Sequence, residues 1–145
     1  MKLGDLFQAR DKLQNVKSKF DYKINDSDGL LHAGWNKDIA DEDYLPKGFD
    51  YSKVLELGLV AAKEPGKGQG EALMKKFLSS PIAKKAELIF LDPHPRFGKF
   101  AELPEKEAFE KLYRFYHRFG FESRRVGGRM WKVQKGSIPK NELPT

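Results

Sequence analysis

The sequence predicts a single α/β (α+β) domain in which helices flank a mixed β-sheet. An almost unbroken apolar segment, residues 53–62, is followed by a glycine-rich loop, a helical pattern and a second apolar segment, residues 86–91. That order is typical of two parallel strands joined through a helix. With 145 residues and no break in composition, the chain has the length of one domain. We expect the domain over residues 1–135 and a loosely held C-terminal tail over residues 136–145.

The N-terminal segments are expected to add a helix and a β-hairpin. Apolar side chains recur at helical spacing over residues 5–16. Residues 20–24 alternate apolar and charged side chains like a half-buried strand, and residues 30–35 provide the return strand after a turn. Polar residues, proline and glycine over residues 36–51 predict a loop or a loose helical connection.

The central segments have the clearest pattern. Residues 53–62 predict a strand buried on both faces, which leads into the loop Gly66-Lys67-Gly68-Gln69-Gly70. Helical periodicity follows the loop until Pro81 ends it. Residues 86–91 then predict a parallel strand that ends before Asp92.

A second helix and a hairpin are predicted towards the C-terminus. Pro104 can open a helix whose first turn carries acidic residues, which favour the positive end of the helix dipole, and Gly120 can end it. Residues 121–126 and 129–133 predict a hairpin that closes on two glycines. Such a charged sheet edge is compatible with either a monomer or a homodimer.

The composition excludes several classes of protein. The chain has no cysteine, and therefore no disulfide, thiolate zinc site or cysteine nucleophile. His32, His94 and His117 lack the spacing of a zinc-binding helix, so we expect no protein-bound metal. No segment approaches the roughly 20 apolar residues of a membrane span, and the N-terminus has no apolar signal core. These features predict a cytoplasmic protein without a membrane partner.

The net charge of +6 is unevenly distributed. Residues 111–135 carry a high density of Lys and Arg against the single acid Glu122, whereas residues 38–43 form a short acidic run. Both patterns are compatible with a solvated surface. Alternatively, the basic segment binds phosphate groups, those of RNA included, and the acidic run attracts a cationic substrate.

The glycine loop is a candidate anion site. Glycines 66, 68 and 70 allow backbone N–H groups to turn towards one point beside a helix N-terminus, although structural glycines in a tight turn are the alternative. A nucleotide P-loop is excluded because no Gly-Lys pair precedes Ser or Thr. A dinucleotide fingerprint would need glycine at position 71, where this chain has Glu71.

Two motifs resemble those of the GNAT superfamily of N-acetyltransferases. The family's acyl-CoA-binding motif is a strand ending in Val, a short gap, then R/Q-G-x-G-x-G/A and x-A-L-L, and residues 60–74 follow it from Val60 to Ala72-Leu73-Met74. The family's later L/F-Y-x-x-x-G-F motif is matched by residues 115–121. The resemblance covers roughly residues 50–133. Pro65 replaces the basic residue that usually precedes the first glycine, and Phe109 replaces an Asn that often begins the later helix.

The resemblance implies a centrally splayed GNAT-like sheet and direct transfer of an acetyl group from acetyl-CoA to a primary amine. It implies that the backbone of Leu59 and Val60 pairs with the pantetheine arm of CoA. The pyrophosphate would be surrounded by the amides of Lys67, Gly68, Gln69, Gly70 and Glu71. Because Pro65 has no basic side chain, binding should depend on these amides.

Tyr116 resembles the family's general acid, which protonates the departing CoA thiolate; a core tyrosine is the alternative. Glu56 is the only ionisable residue within the apolar part of the central strand, where burial would raise its pKa, and it is a candidate general base. Asp92 and His94 follow the next strand and are alternatives. The acceptor could be a protein or small-molecule amine, or an aminoacyl-tRNA or other RNA-borne amine bound by residues 111–135. A non-catalytic GNAT-like module that binds nucleic acid or protein is a further alternative.

Overall fold

The computed structural model of the protein describes residues 21–36, 38–41, 45–64, 66–94 and 102–144, and within these ranges five strands form one mixed sheet. The helix predicted for residues 5–16 lies outside the described residues. The order of the strands across the sheet is their order along the chain. The strands are β1 (Tyr22–Asp26), β2 (Gly29–Trp35), β3 (Val54–Ala62), β4 (Leu88–Leu91) and β5 (Met130–Val133).

Three α-helices accompany the sheet in the described ranges: α1 (Gln69–Leu78), α2 (Pro81–Lys85) and α3 (Glu105–His117). Short 3-10 helices lie at Asp38–Asp41, Tyr51–Lys53 and Lys140–Glu142. The start of α2 is capped by Ser80, whose hydroxyl accepts the N–H of Ala83. No helix among the described residues combines the length and the apolarity needed to cross a membrane.

The strand pairing confirms a single α+β domain with a mixed sheet. β1 and β2 form the predicted hairpin, and β2 pairs antiparallel with β3. β3 is parallel to β4, as predicted from the β-α-β pattern of residues 53–91. β4 pairs antiparallel with β5.

Each face of the sheet is covered by a different part of the chain. The helix face packs against α1 and α3 and includes Leu55, Leu57, Ile89, Leu73 and Tyr116. The loop face packs against Ile39, residues 45–51 and the C-terminal segment, and its core includes Val54, Phe90, Trp131 and Leu143. Because side chains alternate along a strand, neighbouring residues of β3 and β4 contribute to opposite faces.

A β-bulge at Gly58 interrupts this alternation in β3. In the register with β2, Ala33 lies opposite Leu57 and His32 lies opposite Leu59, so Gly58 has no partner residue in β2. The extra residue brings Leu57 and Val60 to the same face of the sheet, and both pack with the helix-face core.

The parallel pairing between β3 and β4 is short. It joins Val54, Leu55 and Glu56 to Leu88, Ile89 and Phe90. Residues 57–62 of β3 extend beyond this pairing, and within the described ranges their second edge is bonded to no strand. The prediction that β3 is buried on both faces is therefore only partly right, since Gly58, Val60 and Ala62 are half-buried.

The predicted hairpin over residues 121–133 is wrong in its first half. Only β5 is a strand, and residues 121–126 contribute a single bridge in which Glu122 and Trp131 exchange two hydrogen bonds of 2.7 Å. Beyond the bridge, the hydroxyl of Ser123 donates to the carbonyl of Arg125 and accepts its N–H. This local turn occupies the backbone groups that a strand would need.

Part of the segment predicted as a loosely held tail is packed against the sheet. Leu143 is 2% exposed and belongs to the loop-face core. The indole N–H of Trp131 donates to the carbonyl of Pro144 at 2.9 Å. The C-terminal segment therefore completes the cover of the loop face.

Replacing Leu143 by Ala should lower the free energy of unfolding by about 2–4 kcal/mol, because it removes a buried side chain from the loop-face core. Chemical denaturation measures the change. Glu142→Ala, at the exposed neighbouring position, should stay within about 0.5 kcal/mol of the parent protein. Equal effects of the two substitutions would show that the tail does not contribute to the core.

Candidate functional site

A cavity of about 400 Å³ lies on the helix face, beside the open edge of β3. The second half of β3 and one side of α3 both line it. The glycine loop and the first turn of α1 lie at one end, and Asp92 and His94 follow β4 at the cavity wall. Segments far apart in the sequence thus meet around one space.

The β3 wall contains Leu59 and Val60, the residues expected to pair with a pantetheine arm. It also contains the bulged residue Gly58. Since residues 57–62 lack a strand partner on the β4 side among the described residues, the N–H and C=O groups that they direct away from β2 can bind an extended ligand.

The glycine loop reaches the cavity through its glycines and the start of α1. Gly66 and Gly68 have φ values of 83° and 75°, in the left-handed region that side chains other than glycine rarely adopt. The N-cap residue of α1 is Gly68, which has no side chain that could cap the helix. The first N–H groups of the helix, from Gln69 to Glu71, therefore have no partner within the helix and lie at its positive end.

Of the predicted loop contacts, Gly68, Gln69, Gly70 and Glu71 line the cavity. Lys67 is exposed and is not part of the cavity wall, so the structure does not bring it together with the others. Pro65 lies outside the described residues.

The side chain of Gln69 anchors the loop, which the sequence did not reveal. Its Oε1 accepts the N–H of Glu64 at 2.7 Å, and its Nε2 donates to the carbonyl of Ser27 in the β1–β2 turn at 3.1 Å. The same turn is bound to α1 by Lys76, whose Nζ lies 2.8 Å from Asp26 and 2.6 Å from Asp28. The hairpin turn thus fixes the loop at the cavity end.

Three basic side chains on the α3 wall also line the cavity: Lys111, Arg114 and Arg118. Their spacing of three and four residues places them on one side of the helix. The sequence grouped them only within the basic segment 111–135, although the helical spacing was a signal that could have separated them.

Tyr116 lies in the cavity wall and is 9% exposed. Its hydroxyl makes no hydrogen bond with any described residue, and burial raises the pKa of this hydroxyl well above its usual range. The phenol therefore stays protonated at physiological pH and can donate a hydrogen bond or proton into the cavity.

Glu56 does not line the cavity. It shares the loop face with Val54, whereas Tyr116 packs on the helix face, so the two predicted catalytic residues lie on opposite faces. Glu56 accepts a hydrogen bond of 2.8 Å from the side-chain amide of Asn36.

Asp92 and His94, the other candidate bases, both line the cavity. Asp92 is bound by Arg129, whose Nε lies 2.9 Å from one carboxylate oxygen, and the guanidinium of Arg129 covers the ring of Phe90 at 4.5 Å. His94 is exposed, and no described residue forms an ion pair or hydrogen bond with it.

The remaining basic residues of segment 111–135 do not line the cavity. Lys135 lies 3.8 Å from Glu87, and Arg124 and Arg125 are exposed outside the cavity. The basic segment thus divides into a cavity-lining part and separate surface positions.

Within the described ranges, no cluster of three or more His, Asp or Glu side chains is arranged to hold a metal ion. Comparison with protein-family models, curated proteins and solved structures finds no match to this chain. A proposal for its function therefore depends on the geometry and chemistry of its own residues.

Replacing Gln69 by Ala should release the loop, because Glu64 loses the acceptor for its N–H. We expect amide hydrogen exchange at residue 64 to become about five times faster, corresponding to roughly 1 kcal/mol for one hydrogen bond. Lys67→Ala, at an exposed position of the same loop, is the control and should leave that rate unchanged. Unchanged exchange in the Gln69 variant would contradict the anchoring role.

Proposed function

We propose that this protein is a GNAT-like N-acetyltransferase that moves an acetyl group from acetyl-CoA to a primary amine. The observation that carries the proposal is the convergence in one cavity of an open strand edge, an uncapped helix N-terminus and a buried tyrosine hydroxyl. These are the groups needed to bind an extended amide chain, an anion and a departing thiolate. The two GNAT-like sequence motifs contribute the loop and the tyrosine.

Acetyl-CoA would lie along the open edge of β3. The amides of its pantetheine arm would pair with the backbone of Leu59 and Val60, as an added strand does. Its pyrophosphate would lie at the first N–H groups of α1, where the helix dipole favours an anion. The left-handed conformations of Gly66 and Gly68 shape this end of the cavity.

The transfer would proceed by direct attack. The neutral amine nitrogen adds to the thioester carbonyl carbon, and the carbonyl oxygen gains negative charge that backbone N–H donors can stabilise. The backbone N–H of Gly58, a cavity-lining residue with no partner residue in β2, would be such a donor. Collapse of the tetrahedral intermediate forms the amide and breaks the carbon–sulfur bond.

Tyr116 would give its proton to the departing CoA sulfur. Burial raises the pKa of its hydroxyl, which keeps the proton in place throughout the neutral range. A high pKa also makes the phenol a weak acid, so transfer is coupled to the charge that builds on sulfur as the bond breaks.

The general base depends on the side from which the amine approaches. An alkyl amine with a pKa near 10.4 is mostly protonated at neutral pH and must lose a proton before attack. His94 lines the cavity and would accept that proton from an amine that binds there. Glu56, held by Asn36, could do so only for an amine that approaches from the loop face.

A protein or small-molecule amine has more support as acceptor than an RNA-borne amine. Of the basic residues in segment 111–135, three line the donor cavity, and Arg129 and Lys135 are engaged with acids. The acidic run 38–43 would suit a cationic acceptor; Asp38 is exposed, and positions 42–43 lie outside the described residues.

Acetyl-CoA should stabilise the protein. At about 100 times the Kd, binding contributes about 2.7 kcal/mol and should raise Tm by about 5–10 °C in a thermal-shift measurement. Gly68→Glu should abolish this shift, because it places a carboxylate at the proposed phosphate site. Gly48→Glu is the matched control, since Gly48 also has a positive φ and open surroundings but lies outside the cavity. If acetyl-CoA does not change the Tm of the parent protein, its assignment as the acetyl donor is refuted.

Tyr116→Phe should lower kcat by about 100-fold or more and leave CoA affinity unchanged. Tyr113→Phe is the matched control on the same helix, because Tyr113 bonds Glu122 outside the cavity and should retain kcat. The raised pKa of Tyr116 predicts no loss of kcat from phenol ionisation below about pH 10. Unchanged turnover in Tyr116→Phe would show that the tyrosine is structural.

A further inference from the structure

Lys111, Arg114 and Arg118 form a cationic row along the cavity. A rise of 1.5 Å per residue makes this row roughly 10 Å long, which is enough to face more than one phosphate group. The row lines the same cavity as the open edge of β3, and its Arg118 end is next to the first turn of α1.

Two of the three charges in this row, those of Lys111 and Arg114, are not balanced by an acidic side chain of the described residues. Among the described residues, neither Lys111 nor Arg114 forms an ion pair, although both line a concave surface. By contrast, Lys76 is bound by two aspartates and Arg129 by Asp92. Uncompensated positive charge inside a cleft concentrates the field and attracts an anion.

Arg118, the third residue of the row, is paired with an acidic side chain of the protein itself. Its guanidinium lies 3.5 Å from Glu71, a residue of the first turn of α1, and 5.8 Å from the ring centres of both Phe115 and Phe119. Glu71 also lies 3.2 Å from Lys75. The carboxylate of Glu71 is therefore at the cavity end where the α1 N–H groups favour negative charge.

We propose that the cationic row binds the phosphates of the CoA donor, and that Arg118 exchanges Glu71 for a phosphate when the donor binds. This inference rests on the proposed function. A guanidinium makes charge-assisted, bidentate bonds to phosphate, so the exchange favours the donor. Glu71 keeps Lys75 as its partner after the exchange.

The row would also supply the positive charge that is missing at position 65, where this chain has proline instead of a basic residue. The cations that face the donor phosphates come from the α3 side of the cavity instead of from the residue before the first glycine. The donor is then selected by its phosphates, and a thioester that lacks them binds poorly even if its pantetheine arm fits the open edge of β3.

The first experiment titrates CoA, dephospho-CoA and pantetheine into the parent protein and into Lys111→Gln and Arg114→Gln by calorimetry. We expect each substitution to weaken CoA binding about three- to tenfold and to leave the affinity for pantetheine unchanged. The salt dependence of CoA binding should also become less steep. Lys106→Gln is the control, because Lys106 is exposed on α3 outside the cavity and should bind CoA like the parent protein.

The second experiment tests the exchange at Arg118. Glu71→Gln should tighten CoA binding about two- to fivefold, because Arg118 no longer has to leave a carboxylate. In an Arg118→Gln background the same substitution should give no gain, as a double-mutant cycle would show. Weaker CoA binding in Glu71→Gln, or an equal gain in CoA affinity with and without Arg118, would contradict the proposed exchange of Glu71 for a phosphate.

The two proposals fail in different ways. If the parent protein binds CoA but Lys111→Gln and Arg114→Gln bind it equally well, the cationic row is not the phosphate site and the proposed function stands. If the substitutions weaken the binding of CoA and of pantetheine equally, the row does not act on the phosphates and the inference is also wrong. If CoA neither binds nor stabilises the parent protein, the donor assignment itself is wrong.

Discussion

The short contact between β3 and β4 is the constraint on which the rest of the site depends. Parallel pairing ends at Glu56 and Phe90, and the bulge at Gly58 shifts the side-chain alternation immediately afterwards. Continued pairing would have used the backbone groups of residues 57–62 and filled the space beside them. Because it stops, the same strand forms part of the core at one end and a cavity wall at the other.

Paired and unpaired charges lie in different parts of the site. Ion pairs join Lys76 to the β1–β2 turn and Arg129 to Asp92, at points where two segments must be held together. The cavity wall instead carries Lys111 and Arg114 without acidic partners among the described residues. Paired charges thus fix the frame of the site, while unpaired charges face the space that a ligand would occupy.

The sequence predicted the elements whose pattern is local. Periodicity and turn residues located the β1–β2 hairpin, the β-α-β unit and α3, and the glycine motif located one end of the cavity. It did not predict the turn around Ser123, where a side chain competes with strand pairing, or the packing of Leu143. The anchoring of Gln69 to Ser27 joins distant segments, so no local pattern could indicate it.

The bond between Trp131 and Pro144 gives the protein a built-in spectroscopic probe. The indole of Trp131 is buried, lies 5.2 Å from the ring of Phe90, and donates its N–H to the last described residue of the chain. Release of the C-terminal segment would remove that acceptor and admit water to the indole. Fluorescence emission from Trp131 is therefore sensitive to whether the segment around Pro144 is packed against the loop face of the sheet.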